Sequence, residues 1–199
     1  MKLLVATSNV GKLRELRAML EGLAIELVTV KDVGIDGNVV EDAETFEGNA
    51  RKKASTLALR AGSPALADDS GLEVDTLGGA PGVYSARYAG EGATDAENLA
   101  KLLVELGGSD ARSARFRCVL AFSWPNGEVG FVTDGRCEGS IAHAASGSQG
   151  FGYDPVFVPE GESRTMAELD PAEKNAISHR GRAMAAMRRH LEGLDLGSI

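Results

Sequence analysis

The order of segments at the start of the chain constrains the fold most. Lys2 to Ala6 reads as a buried strand, Thr7 to Gly11 as a polar loop, and Lys12 to Glu21 as a helix with Leu13, Leu16 and Leu20 on one face. Ile25 to Val30 reads as a second strand, and Asp32 to Glu44, acidic and glycine-containing, as loop. Phe46, Ala50, Ala54, Leu57 and Ala61 then recur at helical spacing. Strand–helix–strand–helix order argues for α/β layers. Thr94 to Leu106 is a further helix, with Thr94 as N-cap and Glu97 three residues on in a capping-box pattern. Ala114, Phe116, Cys118, Leu120 and Phe122 alternate, which marks a half-buried strand. Pro125-Asn126-Gly127 reads as a turn, and Glu128 to Thr133 and Arg136 to Ala142 as two more strands, antiparallel, so the sheet is mixed. Ser178 caps a last helix that runs to about Leu191.

No repeat or low-complexity linker divides the chain. Two lobes of one domain, residues 1–199, are expected in preference to independent domains with a boundary near residue 110. At 199 residues the chain can bury a sizeable core. A net charge of −8 with no long basic run speaks against general nucleic-acid binding, so an anionic substrate would need local positive charge and a metal. Cys118 and Cys137 form neither a disulfide framework nor a zinc pattern, which leads to the expectation of a reduced, cytoplasmic setting. The opening MKLLVATSN is too short in apolar residues for a signal peptide, and no stretch approaches a membrane span.

Leu66-Ala67-Asp68-Asp69-Ser70-Gly71-Leu72 carries the strongest chemical signal. It reads as a strand running into a turn with two anions at its end. Adjacent carboxylates repel and need a cation, a proton or water to offset them. Magnesium is the usual cation for oxygen ligands beside phosphates. On these residues alone a surface turn is an equal reading.

Four other constellations can carry chemistry. Thr7-Ser8-Asn9-Val10-Gly11-Lys12 joins a strand to a helix, where backbone N–H groups and Lys12 suit phosphate, although the Walker A spacing is missing. Glu41, with Asn49 and Lys53 on one helix face, can hold metal and phosphate together; acidic residues also favour a helix first turn for its dipole alone. Phe151-Gly152-Tyr153-Asp154 follows a Gly-rich loop, and an aromatic there can stack on a base or simply pack. Further on, Lys174 precedes Ser178-His179-Arg180, with His179 and Arg180 in the first turn of the last helix, where the helix dipole disfavours cations.

In their combined order these segments resemble the inosine triphosphate pyrophosphatase family, house-cleaning enzymes that hydrolyse non-canonical purine nucleoside triphosphates. The resemblance covers nearly the whole chain and rests on TSNVGK, ETFEGNARKKA, ALADDSGLEVDTLGGAPGVYSARYAG, FGYDPVF, TMAEL and EKNAISHRGRA. It implies an elongated α/β fold with a long mixed central sheet and two lobes flanking a substrate cleft. It also implies a homodimer, a magnesium requirement, and conversion of ITP, dITP or XTP to the monophosphate and pyrophosphate. Carried over residue by residue, Thr7, Ser8, Asn9, Val10, Gly11 and Lys12 would bind the triphosphate. Glu41 and Asp69, with Asp68 adjacent, would serve the metal, and Asp69 would accept a proton from the attacking water. Lys53 and Ser70 would contact substrate, and Phe151, Gly152, Tyr153, Asp154, Lys174, His179 and Arg180 would complete the nucleotide pocket.

The chain departs from the family pattern at Gly48, where many relatives carry Glu, at Asp42-Ala43, which replaces a frequent Thr-Gly, and at Gln149, where glycine is common. A pyrophosphatase for other modified nucleotides shares the chemistry but should lack the Ser-His-Arg and Phe-Gly-Tyr-Asp segments. A non-catalytic nucleotide sensor would keep the phosphate loop and dispense with Asp69.

Overall fold

The computed structural model describes residues 1–7 and 9–194. In chain order it contains β1 (Lys2–Ala6), α1 (Val10–Leu20), β2 (Glu26–Thr29), α2 (Phe46–Ala61), β3 (Ala65–Val74), α3 (Asp95–Leu106), β4 (Ser113–Ser123), β5 (Val129–Ile141), β6 (Phe157–Pro159), α4 (Pro171–Ile177) and α5 (His179–Glu192). One six-stranded sheet has the order β2-β1-β3-β4-β5-β6. β1 pairs parallel with β2 and with β3, whereas β5 and β6 are antiparallel, so the sheet is mixed as expected.

Local chemistry explains the helix starts. The Asn9 side chain accepts from the Lys12 amide and opens α1; Thr45 does the same for Gly48 at α2. α3 begins with the full capping box of Thr94 and Glu97, and α4 with one of Asp170 and Glu173, with Pro171 pre-set for the first turn. The Ser178 hydroxyl accepts from the Gly181 amide at 3.0 Å in the first turn of α5. A Cβ at Gly181 would collide with the Asn175 carbonyl, so only glycine lets α5 start this close to α4.

The chain forms two compact units. The first comprises Met1–Asp69, Cys118–Gly135 and the chain from Arg182; the second comprises Ser70–Arg117 and Arg136–Gly181. Each has its own apolar core. Leu3, Val5, Leu16, Leu20, Leu66, Cys118, Leu120, Phe122, Met184, Met187 and Leu191 fill the first, with Trp124 packed at its margin, edge-on to Phe122 at 4.9 Å between ring centroids. Leu72, Val74, Leu102, Leu106, Phe116, Ile141, Tyr153, Val156, Phe157 and Met166 fill the second. In the second unit a buried guanidinium ties the ends of α3 and β5 together. Arg112 donates from Nε to the Ile141 carbonyl, from Nη1 to Gly107 and Ser109, and from Nη2 to Ala142.

Two expectations are corrected. β3 does not turn at Asp68-Asp69-Ser70-Gly71 but continues as strand to Val74. Leu66 belongs to the first core and Leu72 to the second, so the polar triplet occupies the stretch between two apolar anchors of one strand. The two strands expected at Glu128–Thr133 and Arg136–Ala142 are one, β5, which runs through Asp134-Gly135. β6 and α4 are additional short elements. No division of the chain falls at residue 110; the chain passes between units at 69/70, 117/118, 135/136 and 181/182.

Candidate active site

In the first unit, β1, α1, α2 and β3 bring together most of the acids and lysines of interest. Successive residues of a strand point to opposite faces, so Asp68 and Asp69 diverge although they are neighbours in sequence. Each carboxylate therefore has its own compensation. Lys12 Nζ lies 2.9 Å from Asp68 Oδ2. Asn49 donates from Nδ2 to Asp69 Oδ2 at 3.0 Å. Asn49 is itself fixed, because its Oδ1 accepts from the Ala43 amide at 2.9 Å. Lys53, one helical turn from Asn49, pairs with Glu41 at 2.6 Å and donates to the Asp68 carbonyl at 3.3 Å. Burial pushes the Asp69 carboxyl above the usual range; Lys12, the Asn49 hydrogen bond and Lys53 oppose this, and Glu41 adds to it.

The phosphate-type loop is ordered by its own side chains. Thr7 Oγ1 accepts from the Asn9 amide at 3.2 Å and Asn9 Oδ1 from the Lys12 amide at 3.0 Å. Val10, at the first position of α1, is 79% exposed, an apolar side chain left in solvent at a helix start. Ser8 lies outside the described residues.

In the second unit a separate set forms around Asp154. Its Oδ2 accepts from the Phe151 amide at 2.8 Å and from Lys174 Nζ at 2.6 Å. The half-buried Phe151 ring has Lys174 Nζ 4.9 Å and Arg180 Cζ 5.6 Å from its centroid, which is cation–π range. Arg180 is fully buried and donates from Nη2 to the Ser70 hydroxyl at 2.9 Å. The buried His179 ring stacks on Phe116 at 4.6 Å, with 14° between planes. Tyr153 is a core residue whose hydroxyl donates to the Ser85 carbonyl at 2.8 Å, so of the two aromatics only Phe151 is placed to offer a ring face.

The sequence places Asn49 on the Lys53 face as part of a metal- and phosphate-holding set; the structure buries it and has it hold the Asp69 carboxylate. Nothing in the sequence marks Phe116 as the ring on which His179 stacks, or Ser85 as the acceptor of the Tyr153 hydroxyl. Phe116 reads as an ordinary strand residue, and nothing in its local spacing sets it apart.

Glu41, Asp68 and Asp69 are hard oxygen donors with more negative than positive charge among them and their lysines, which suits a divalent cation. Among the described residues, no three His, Cys, Asp or Glu side chains already gather as a metal cage. Magnesium fits such a set, because it commonly takes one or two carboxylates and completes its shell with water and substrate phosphate.

Buried carboxylates beside lysines on a mixed α/β sheet are the equipment of a phosphate-handling enzyme. The sequence pattern of the Ham1 family matches residues 3–190, and the chain belongs to that family. It is 51% identical over 192 residues to the dITP/XTP pyrophosphatase of Geobacter sulfurreducens, covering 96% of each chain. It is 48% identical to the enzyme of the same name from Bacillus licheniformis, covering 96% of this chain and 98% of that one. Among solved structures, a HAM1 protein from Coxiella burnetii superposes with a TM-score of 0.89 at 41% identity, covering 98% of this chain and 100% of that one.

Proposed function

We propose that this protein hydrolyses non-canonical purine nucleoside triphosphates, ITP, dITP and XTP, to the monophosphate and pyrophosphate; its relatives are named dITP/XTP pyrophosphatases. One observation carries the chemistry: a buried Asp69 held by Asn49, with its carboxyl raised by burial within the field of Lys12 and Lys53. A carboxylate so placed is a stronger base than an exposed one and can take the proton of an attacking water. The water oxygen bonds to phosphorus, the α–β phosphoanhydride bond breaks, and the electron pair leaves with pyrophosphate. Lys12 and Lys53 offset the phosphate charge that builds on the leaving group. Glu41 and Asp69 would hold magnesium, with Asp68 adjacent, and the ion would neutralise phosphate charge when bound.

Arg180 has only donors, and His179 can donate from its ring. Both suit the 6-keto oxygen of inosine and xanthosine and mismatch the amino group of adenine. Phe151 offers the ring face. Magnesium as the metal, a homodimer and a cytoplasmic setting belong to the same proposal. Incubation with a panel of nucleoside triphosphates and magnesium, with both products identified, tests it. Monophosphate and pyrophosphate from ITP and XTP are expected. Release of orthophosphate, full activity in a chelator, or binding without turnover would overturn it; the last outcome is the nucleotide-sensor reading.

A further inference from the structure

The loop Phe151–Asp154 is gripped twice by one segment of the second unit. Asp95 Oδ2 accepts from the Gly152 amide at 2.7 Å, and the Ser85 carbonyl accepts from the Tyr153 hydroxyl at 2.8 Å. The first bond fixes the loop backbone and the second fixes how deeply the Tyr153 ring sits in the core. The gripping segment is itself pinned. Ser85 Oγ donates to the Gly82 carbonyl at 2.6 Å and accepts from the Leu72 amide at 2.9 Å. The buried Asn98 accepts from the Ala89 amide at 2.7 Å and donates to the Ala86 carbonyl at 3.2 Å. Leu72 lies two residues beyond Ser70, whose hydroxyl receives Arg180. One segment therefore registers the loop carrying Phe151 and Asp154 against the strand that carries Ser70.

We propose that Asp95 and Ser85 are positioning residues for base selection, a clamp that sets Phe151 and Asp154 relative to Ser70 and Arg180. The inference rests on the reading of Phe151–Asp154 as part of the base pocket. A carboxylate accepting from a backbone amide is a charge-assisted bond, stronger than a neutral one. Small displacements of a binding group are costly, since a shift of about 1 Å can lower activity about a hundredfold. Asp95 is exposed, and the cap of α3 belongs to Thr94 and Glu97, so its side chain can be removed with the cap in place.

Steady-state kinetics of D95A, D95N and Y153F on ITP and ATP, with melting temperatures, test the clamp. D95A should raise KM for ITP about tenfold with kcat within about threefold, and lower the ITP/ATP ratio of kcat/KM, the size expected for a lost bond to a charged group. D95N should recover most of the loss, because its side-chain oxygen still accepts. Y153F should act in the same direction by about threefold. An active wild type with unchanged KM and ratio in D95A and Y153F overturns the clamp, as does a fall in kcat at constant KM. Failure of D95N to recover, with both variants losing the same thermal stability, reduces Asp95 to a helix-stabilising residue and also overturns it. A wild type that turns over no nucleotide overturns the base-pocket reading and the clamp with it.

Discussion

The two groups of charged side chains differ in sign and in how far one ion pair of each is exposed. In the first unit three carboxylates, Glu41, Asp68 and Asp69, share two lysines, Lys12 and Lys53. In the second, Asp154 is matched by Lys174, and Arg180 adds a further positive charge. The Lys53–Glu41 pair keeps side-chain exposures of 14% and 31%, against 6% and 4% for Lys174–Asp154. Partly solvated ion pairs rearrange at little cost, whereas breaking a sealed pair strands a charge. The Lys53–Glu41 pair is thus built to exchange partners with a metal and phosphates. The second is a frame fixed before any ligand arrives.

The largest effect should come from D69N. General-base assistance is worth about 10² to 10⁴ in rate, so kcat should fall by that much while nucleotide affinity is kept. Its stability should move the other way. Because burial raises the Asp69 carboxyl, the folded protein holds that proton more tightly than the unfolded chain does. The stability this provides is present at low pH and is lost as pH rises through the folded value, so at neutral pH the ionised side chain is a burden. D69N lifts that burden and should melt at or above the wild-type temperature. Near-normal turnover would move the proton acceptor elsewhere, with Glu41 the first candidate.

Next, K174M and K53M set the two ion pairs against each other. K174M leaves Asp154 buried without its lysine and should cost about 3–5 kcal/mol in urea unfolding. K53M should cost about 1 kcal/mol or less and show instead as a higher KM. Equal stability losses would erase the distinction drawn between the groups. R180A should shrink the ITP/ATP ratio of kcat/KM by about tenfold or more, because a site built around a hydrogen bond discriminates strongly. An unchanged ratio would assign base choice to His179 or to the loop backbone.

The smallest effect is expected at Gly48. A Cβ there would sit 2.7 Å from that of Ala43, in the loop that carries Glu41 and whose amide holds Asn49. G48A gains helix propensity of up to about 1 kcal/mol and meets a similar overpacking cost. Net stability should barely change, while the displaced loop raises the magnesium needed for half-maximal activity a few-fold. An unaltered metal requirement would detach the loop from the metal role.

Much of the fold was legible because its signals are local. The five apolar positions from Phe46 to Ala61 mark α2 to its ends, and Thr94 with Glu97 marks the start of α3. In β3 local and tertiary demands conflict: Asp-Asp-Ser-Gly prefers a turn, but Leu66 on one side and Leu72 on the other anchor the strand in different cores. Asp134-Gly135 hid the continuity of β5 for the same reason. The lysines and carboxylates were identifiable by residue type and order. Ser85 and Phe116 were not, because their roles come from partners far along the chain: Tyr153 is 68 positions from Ser85, and His179 stacks on Phe116 from another element.

The tryptophan and the tyrosines divide cleanly between the two units. The one tryptophan, Trp124, belongs to the first, and the three tyrosines, Tyr84, Tyr88 and Tyr153, all belong to the second. The protein therefore carries a separate optical label in each half without any engineering. Indole emission follows the loosening of the first core, and near-ultraviolet tyrosine dichroism follows the second. In a single melt the two signals separate if the halves unfold independently and coincide if they unfold as one cooperative body.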